Sequence, residues 1–387
     1  MMKAPVYNIN LNEFWINPYP DLKTMRNELP ICFVPELGAT LVTKRQDIFD
    51  NEKKVEIFSS IQPDGLMQKL MGQNLMRKDG DAHLNERKAI FPTVSPKTTN
   101  TIWKEEFQKI AERILKKLKS QRKGDIISDY AMPLSAEALK LVTGLINMDF
   151  NEMNRVSQGM IDGIANYAGD KKIEENCHNC TESIDNHIEE IKSYLVKNPN
   201  NSLLSSQLRF GLNEKQISAN IKLAISGGQN EPRDAIAGTV WSLLKYPKEL
   251  YKIQSGKNSW LDSFEEFSRW ISPIGMSPRR INKDYKIKNI EFSKNDKVFL
   301  MFGSGNRDEE CFDQPEKFNI SQDRSKSIIF GAGPHFCAGA YIAKCLIGEI
   351  ALPNLFLNLP NLSLDIKSKV EFRGWAFRGP LELRCVW

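Results

Sequence analysis

Residues 1–22 contain no apolar run long enough for a signal peptide or a membrane anchor; Asn, Asp, Glu and several prolines interrupt them. A cytoplasmic chain with no membrane partner is expected. Cysteines are few, seven in 387 residues, and an odd number. That excludes complete pairing and points to free thiols in a reducing compartment. No repeat, low-complexity segment or long linker appears, and no length is left for a flavin or iron–sulfur domain. A strong excess of one charge is also missing. The net charge of +5 is modest, and lysines are spread through helical segments rather than gathered in a tail, which argues against nucleic-acid binding. A basic face can still guide an acidic protein partner. What is present is ordinary for a globular protein: 41% hydrophobic and 26% charged residues, ample for a large core.

Residues 37–43 are apolar and β-branched and read as a strand; a helix is expected from Arg45 to Asp50. Residues 62–77 mix Pro, Gly, Asn and Met without clean periodicity, which suggests a loop with one short helix. Further on, His83 and Arg87 fall at i and i+4, on one helix face. Helical spacing runs through residues 103–121, 126–146 (interrupted by Pro133), 152–167 and 171–196. Cys177 and Cys180, with His187 beyond, look like half a metal site. No second pair accompanies them, so cysteines on the surface of a polar helix are expected. Residues 213–246 read as the longest helical stretch. Two glycines and Pro232 sit at its centre, and proline alone costs about 3 kcal/mol inside a helix. The stretch is therefore either one helix bent around something or two helices. Trp260–Ile271 carries Glu266 and Arg269 at i and i+3. Residues 285–300 alternate as a β-hairpin, and residues 372–387 read as strands around Gly374 and Gly379. A single mainly helical domain over 1–387 is expected, α+β in class, with β structure near 30–45, 274–300 and 362–387.

The rest is organised around Phe330-Gly331-Ala332-Gly333-Pro334-His335-Phe336-Cys337-Ala338-Gly339. Gly331 and Gly333 remove Cβ atoms where a backbone must bend and lie close beneath a flat ligand. Cys337 opens a run of good helix formers, and a helix N-terminus favours the thiolate. The bland reading is a tight glycine loop with a buried structural cysteine. The spacing resembles the F-x-x-G-x-H-x-C-x-G haem loop of the cytochrome P450 family at every fixed position. The resemblance implies the cytochrome P450 fold, haem b with Cys337 as its axial iron ligand, Phe330, Gly331 and Gly339 around the cofactor, and O2 as co-substrate.

The resemblance extends from about residue 37 to the C-terminus. It implies that His83, Arg87, Arg279 and His335 hold the haem propionates, with Arg280 as the alternative to Arg279. Helices 152–167 and 171–196 become a lid over the substrate. Gly227, Gly228, Ile274, Gly275, Ala376 and Phe377 become pocket residues. The Glu266–Arg269 pair locks the segment beneath the haem, and its usual third partner, an arginine, is replaced by Gln322, with Arg324 nearby. One departure matters more. Where the family places an acid and then an alcohol, this chain has Asn230 and Glu231. Oxygen activation needs a proton donor, so these two are the candidate catalytic residues, Glu231 acting directly or through water.

The expected function is a haem-thiolate monooxygenase fed by a ferredoxin and its reductase, which dock on a basic patch that includes Lys344. Residues 227–234, Gly-Gly-Gln-Asn-Glu-Pro-Arg-Asp, resemble those of bacterial members that remove O-methyl groups. The favoured substrate is 6-O-methyl-D-galactose, with methoxylated aromatics as the alternative. Overall likeness to that branch, including chain length and Lys/Asn-rich character, favours the sugar. So does the segment 62–76, which offers Gln, Asp, Asn and Met with only Phe58 as a nearby aromatic. A peroxide-using enzyme is a rival because the acid–alcohol pair is missing. A non-catalytic haem sensor is disfavoured by the lid helices and the lack of a second domain.

Overall fold

Short β-branched and aromatic runs pair into a five-stranded sheet in the order Ile31–Val34, Ala39–Val42, Lys297–Leu300, Ser277–Ile281, Phe58–Ser59. Ala39–Val42 and Lys297–Leu300 are parallel and the other neighbours antiparallel. Val42, Phe58, Ile281, Val298 and Leu300 bury one face of the sheet against Ile48, which lies on the helix Arg45–Glu52. The structure, a computed structural model, describes residues 2–166 and 169–387. It divides into two units. The sheet belongs to the first, made of Met1–Ile61, Asp234–Cys337 and Ser363–Arg384; the second is made of Gln62–Arg233, Ala338–Leu362 and Cys385–Trp387.

Several expected boundaries shift in the first unit. The strand read at 37–43 is Ala39–Val42, because Pro35–Leu37 forms a 3-10 turn closed by Gly38 in the left-handed region. The hairpin read over 285–300 is confined to Tyr285–Ile287 and Ile290–Phe292. Lys297–Leu300 leaves it and joins the five-stranded sheet. The helix Trp260–Ile271 has the expected bounds. A reciprocal capping box fixes its start: Asp262 N donates to Ser259 Oγ at 3.1 Å, and Ser259 N to Asp262 Oδ2 at 2.7 Å.

The second unit is helical. Lys104–Leu118 buries Phe107, Ile110, Leu115 and Leu118 on one face and exposes lysines and glutamates on the other. Pro133 does not interrupt the next helix; it sits in the first turn of Met132–Thr143, where its missing N–H costs nothing. Residues 340–358 form a continuous helical run, apolar and long enough by composition to cross a membrane, with half of it buried. Tyr130 Oη donates to Ala351 O at 2.7 Å and Asn354 bonds Gln108 at 2.8 Å, so this run packs within the unit.

The two helices expected to form a lid are Phe150–Ile164 and Lys171–Lys197. The first ends before Tyr167, which lies outside the described residues. The second is the longest helix described, since residues 213–246 break into Glu214–Gly228 and Asn230–Lys245 at Gln229. Cys177 and Cys180 are buried, contrary to the surface placement expected for them. Their thiols enter notches on the facing helix, where Gly159 and Gly163 lack side chains. A Cβ on Gly163 would lie 2.6 Å from Cys177 Sγ, and one on Gly159 would overlap Cys180 Sγ. Burial pushes the Cys177 thiol up to about 11 and raises Cys180 as well, so both are inert packing groups. Gly159→Ala gains helix propensity of up to about 1 kcal/mol, but the overlap outweighs it. A net loss of about 1–3 kcal/mol is expected in denaturant unfolding. Adding Cys180→Ala should restore most of that loss; no restoration would show that the notch does not key the helices.

Candidate functional site

The first unit contributes the cysteine loop. Gly331 N donates to Ile328 O at 3.0 Å, Phe336 N to Gly333 O at 3.1 Å and Cys337 N to Phe330 O at 2.9 Å, closing the loop on itself. Gly331 and Gly333 have φ of 71° and 65°, a region that side-chain-bearing residues rarely adopt. Both also pack too closely for a side chain: a Cβ would lie 3.1 Å from Glu52 Oε1 at Gly331, and 3.0 Å from Lys53 Cα at Gly333. Cys337 does not open the following helix. Ala338 and Gly339 make a turn, and helix starts at Ala340. Cys337 is the one exposed cysteine of the seven; five are buried and Cys311 is half-buried. His335 Nε2 lies 3.1 Å from Ser60 Oγ.

Arg279 and Arg280 separate cleanly, because successive strand residues face opposite sides. Arg280 turns outward, its Nε donating to Asn295 Oδ1 at 3.1 Å. Arg279 is buried, and its Nη2 donates to Glu52 Oε1 at 3.3 Å, each side chain being 2% exposed. The sequence reading missed Glu52. It closes the helix Arg45–Glu52 and is 227 positions from Arg279, so no local spacing reveals the pair.

The Glu266–Arg269 pair is fully buried and fully bonded. Two contacts of 2.9 Å join the fork to the carboxylate, and Arg269 also donates to the carbonyls of Asn306, Pro315 and Lys317. Gln322 supplies the third partner, its Nε2 reaching both Glu266 oxygens at 2.7 and 2.8 Å. Arg324 goes elsewhere, to Asp262 at 2.5 Å. Such complete pairing offsets the desolvation of two buried charges. The expected pocket residues of this unit come together: Gly275 N donates to Ala376 O at 2.9 Å, and Ile274 pairs with Phe377 as an isolated bridge.

The second unit contributes His83 and Arg87 on the helix Gly80–Val94, the first buried and the second half-buried. His83 Nδ1 lies 2.9 Å from Leu75 O. A carbonyl only accepts, so Nδ1 carries the proton. The break in residues 213–246 has a local cause. Pro232 has no N–H to give the Gly228 carbonyl four residues earlier, and the ladder opens there. The next bond is long, Arg233 N to Gln229 O at 3.3 Å. Glu231 lies in the first turn after the break, where a carboxylate suits the helix dipole. Asn230 is 6% exposed and donates to Gln158 Oε1 at 3.5 Å. Gly228 packs tightly, since a Cβ would lie 2.8 Å from Leu139 Cδ1, whereas nothing lies within 4 Å of one on Gly227. The side-chain oxygens of Asn230 and Gln229, and both amide atoms of Asn74, are buried without a hydrogen-bond partner.

The donor set fits a haem. In the first unit one exposed thiol on a glycine-turned loop suits its iron, and Arg279 and His335 are groups suited to its carboxylates; in the second, His83 and Arg87 are groups of the same kind. Among the described residues no cluster of three or more His, Cys, Asp or Glu offers a second metal site. Comparison with known proteins agrees. Residues 263–358 match the family model for cytochrome P450. The chain is 24% identical to the polyketide biosynthesis cytochrome P450 PksS of Bacillus subtilis, over 98% of each chain. It is also 24% identical to a steroid C26-monooxygenase of Rhodococcus jostii, over 89% of this chain and 77% of that one. Among solved structures it is similar to P450BioI bound to an acylated carrier protein (TM-score 0.89, 22% identity, 98% and 100% covered). It is likewise similar to CYP109E1 of Bacillus megaterium bound to testosterone (TM-score 0.88, 20% identity, 97% and 98% covered).

Proposed function

We propose that this chain, which belongs to the cytochrome P450 family, removes an O-methyl group oxidatively, with 6-O-methyl-D-galactose as the favoured substrate. It is an oxidoreductase of the cytochrome P450 type, with haem b as cofactor and O2 as co-substrate. Bound haem supplies reductive activation of O2 at a thiolate-held iron. One oxygen atom enters the methyl C–H bond. The other leaves as water with two protons and two electrons, which a ferredoxin and its reductase supply in the cytoplasm. The hemiacetal so formed collapses to an alcohol and formaldehyde.

The observation that carries the reading is the exposed Cys337 on its self-bonded glycine loop. Cys337 gives its sulfur to the iron, and Phe330, Gly331 and Gly339 keep the backbone close to the ring. Arg87, Arg279, His83 and His335 take the carboxylates. His83 Nδ1 is engaged by the Leu75 carbonyl, so a carboxylate would meet the ring through Nε2. Glu231 delivers the proton, and Asn230 orients it or a water.

The choice of sugar over phenol is supported by the buried amides. Asn74, Gln229 and Asn230 each hold amide atoms without partners, an arrangement that costs about 1–3 kcal/mol per group unless something bonds them. A sugar carries several hydroxyls able to bond such groups, where a methoxylated phenol carries fewer. Gly227, Gly228, Ile274, Gly275, Ala376 and Phe377 shape the rest of the pocket. A panel of methyl ethers tests this through the spin-state change that follows displacement of water from the iron. The methylated sugar should give the largest change, with formaldehyde formed one-to-one with product. A larger change with methoxybenzoates would transfer the assignment to aromatic ethers.

A further inference from the structure

We propose that Glu52 is a positioning residue of the haem site: it holds Arg279 and sets the charge Arg279 offers to a haem carboxylate, so that electron uptake by the cofactor is coupled to proton uptake by Glu52. The inference rests on the placement of Arg279 at the haem given above.

Among the described residues of the first unit, two buried carboxylate–arginine pairs differ. Glu266 has both oxygens bonded, by two arms of Arg269, by Gln322 and by Asn319 N at 2.9 Å. Glu52 has a long contact, 3.3 Å from Arg279, and the backbone N–H of Ala332 beside it, while its Oε2 is buried with no hydrogen-bond partner. It lies against the cysteine loop because Gly331 lacks a Cβ, which would sit 3.1 Å from Oε1. A carboxylate this poorly bonded holds its proton. Burial pushes Glu52 up to about 7, while Arg279 and the Ala332 backbone N–H pull it down by less. The neighbouring titratable groups have other partners. Lys53, next in the chain, lies over the Phe49 ring at 3.3 Å. His335 of the loop meets Ser60. Lys54 turns to Tyr285 Oη at 2.7 Å, and Arg45 to Lys326 O at 2.8 Å. The packed helix Phe302–Gly305 has no titratable side chain.

The sign follows. With Glu52 protonated, Arg279 lacks the Glu52 counter-charge and favours the reduced haem. As pH rises and Glu52 ionises, that cation is partly neutralised and the reduction potential falls. Reduction in this window adds one electron, from the reductant, and draws a solvent proton onto Glu52.

The test is a spectroelectrochemical titration of the holoenzyme from about pH 6 to 9 for the wild type, Glu52→Gln and Arg279→Gln. The wild-type midpoint should fall with pH, with a slope bounded by about 59 mV per unit, the equivalent of tenfold per unit for one electron. Glu52→Gln should be flat and stay near the wild-type acid value. A wild-type slope retained in Glu52→Gln overturns the proposal. Arg279→Gln should lower the potential; no change there removes Arg279 from the haem and the proposal with it. A shift in Arg279→Gln alone, with Glu52→Gln tracking the wild type, overturns only the role of Glu52. If Glu52→Gln does not hold haem, a redox-triggered infrared difference spectrum of wild-type protein carrying 13C-labelled glutamate decides. A protonated carboxyl band gained on reduction supports the coupling, and its absence overturns it.

Discussion

Cys337→Ser is expected to lose the carbon monoxide band of thiolate ligation entirely, and with it all measurable turnover. An anionic sulfur pushes electron density onto the iron and favours O–O cleavage; a serine hydroxyl at neutral pH does not. Substitution elsewhere should not reproduce the effect. Cys32, Cys177, Cys180, Cys345 and Cys385 are buried and Cys311 is half-buried, while Cys337 alone is exposed. Burial raises Cys32 and Cys345 to about 12, far from thiolate at neutral pH. The serine side chain is nearly isosteric, and the loop is closed by backbone bonds that the change leaves in place. The variant should therefore fold, as circular dichroism would report. Retention of the thiolate band in Cys337→Ser would end the assignment, whatever the remaining activity.

Glu231→Gln is expected to bind substrate normally and consume reductant, yet lose most product to hydrogen peroxide. Glu231 follows the point where Pro232 opens the helical ladder, in the first turn of Asn230–Lys245. Its neighbour Asn230 cannot titrate, so of the two only the Glu231 carboxyl can give a proton. A placed general acid typically contributes on the order of 10²–10⁴-fold, and glutamine keeps the size and polarity while removing the proton. The product formed per reductant consumed should thus collapse. A purely structural Glu231 would give another pattern, with lower stability or weaker substrate binding at an unchanged ratio. An unchanged ratio takes Glu231 out of the mechanism.

The cysteine loop was legible in the sequence because its parts are contiguous: turn, thiol and histidine lie within ten residues. The network beneath it was legible only in part. Glu266 and Arg269 share a helix face, but Gln322 and Arg324 are two residues apart and both can reach a carboxylate. Geometry gives Glu266 to Gln322 and Asp262 to Arg324. Residues 285–300 carried a correct strand pattern, yet alternation says nothing of partners, and Lys297–Leu300 pairs with Ser277–Ile281 instead. Cys177 and Cys180 were read as exposed from the polar residues around them. The signal for burial was present, since they continue the stripe Thr181, Ile184, Ile188, Ile191, Leu195 at helical spacing. Glu52 left no such trace, because what makes it unusual is Arg279, brought near by the fold alone.

The notches at Gly159 and Gly163 bear on how the two helices can move. Sliding one helix along the other would lift two thiols out of their recesses and drive them over backbone. Phe150–Ile164 and Lys171–Lys197 therefore travel as one stiff paddle. The caps of the two helices, at Asp149 and Asn198, lie at the outer end of the pair, and a pair keyed in this way presents one unchanging surface to whatever it packs on.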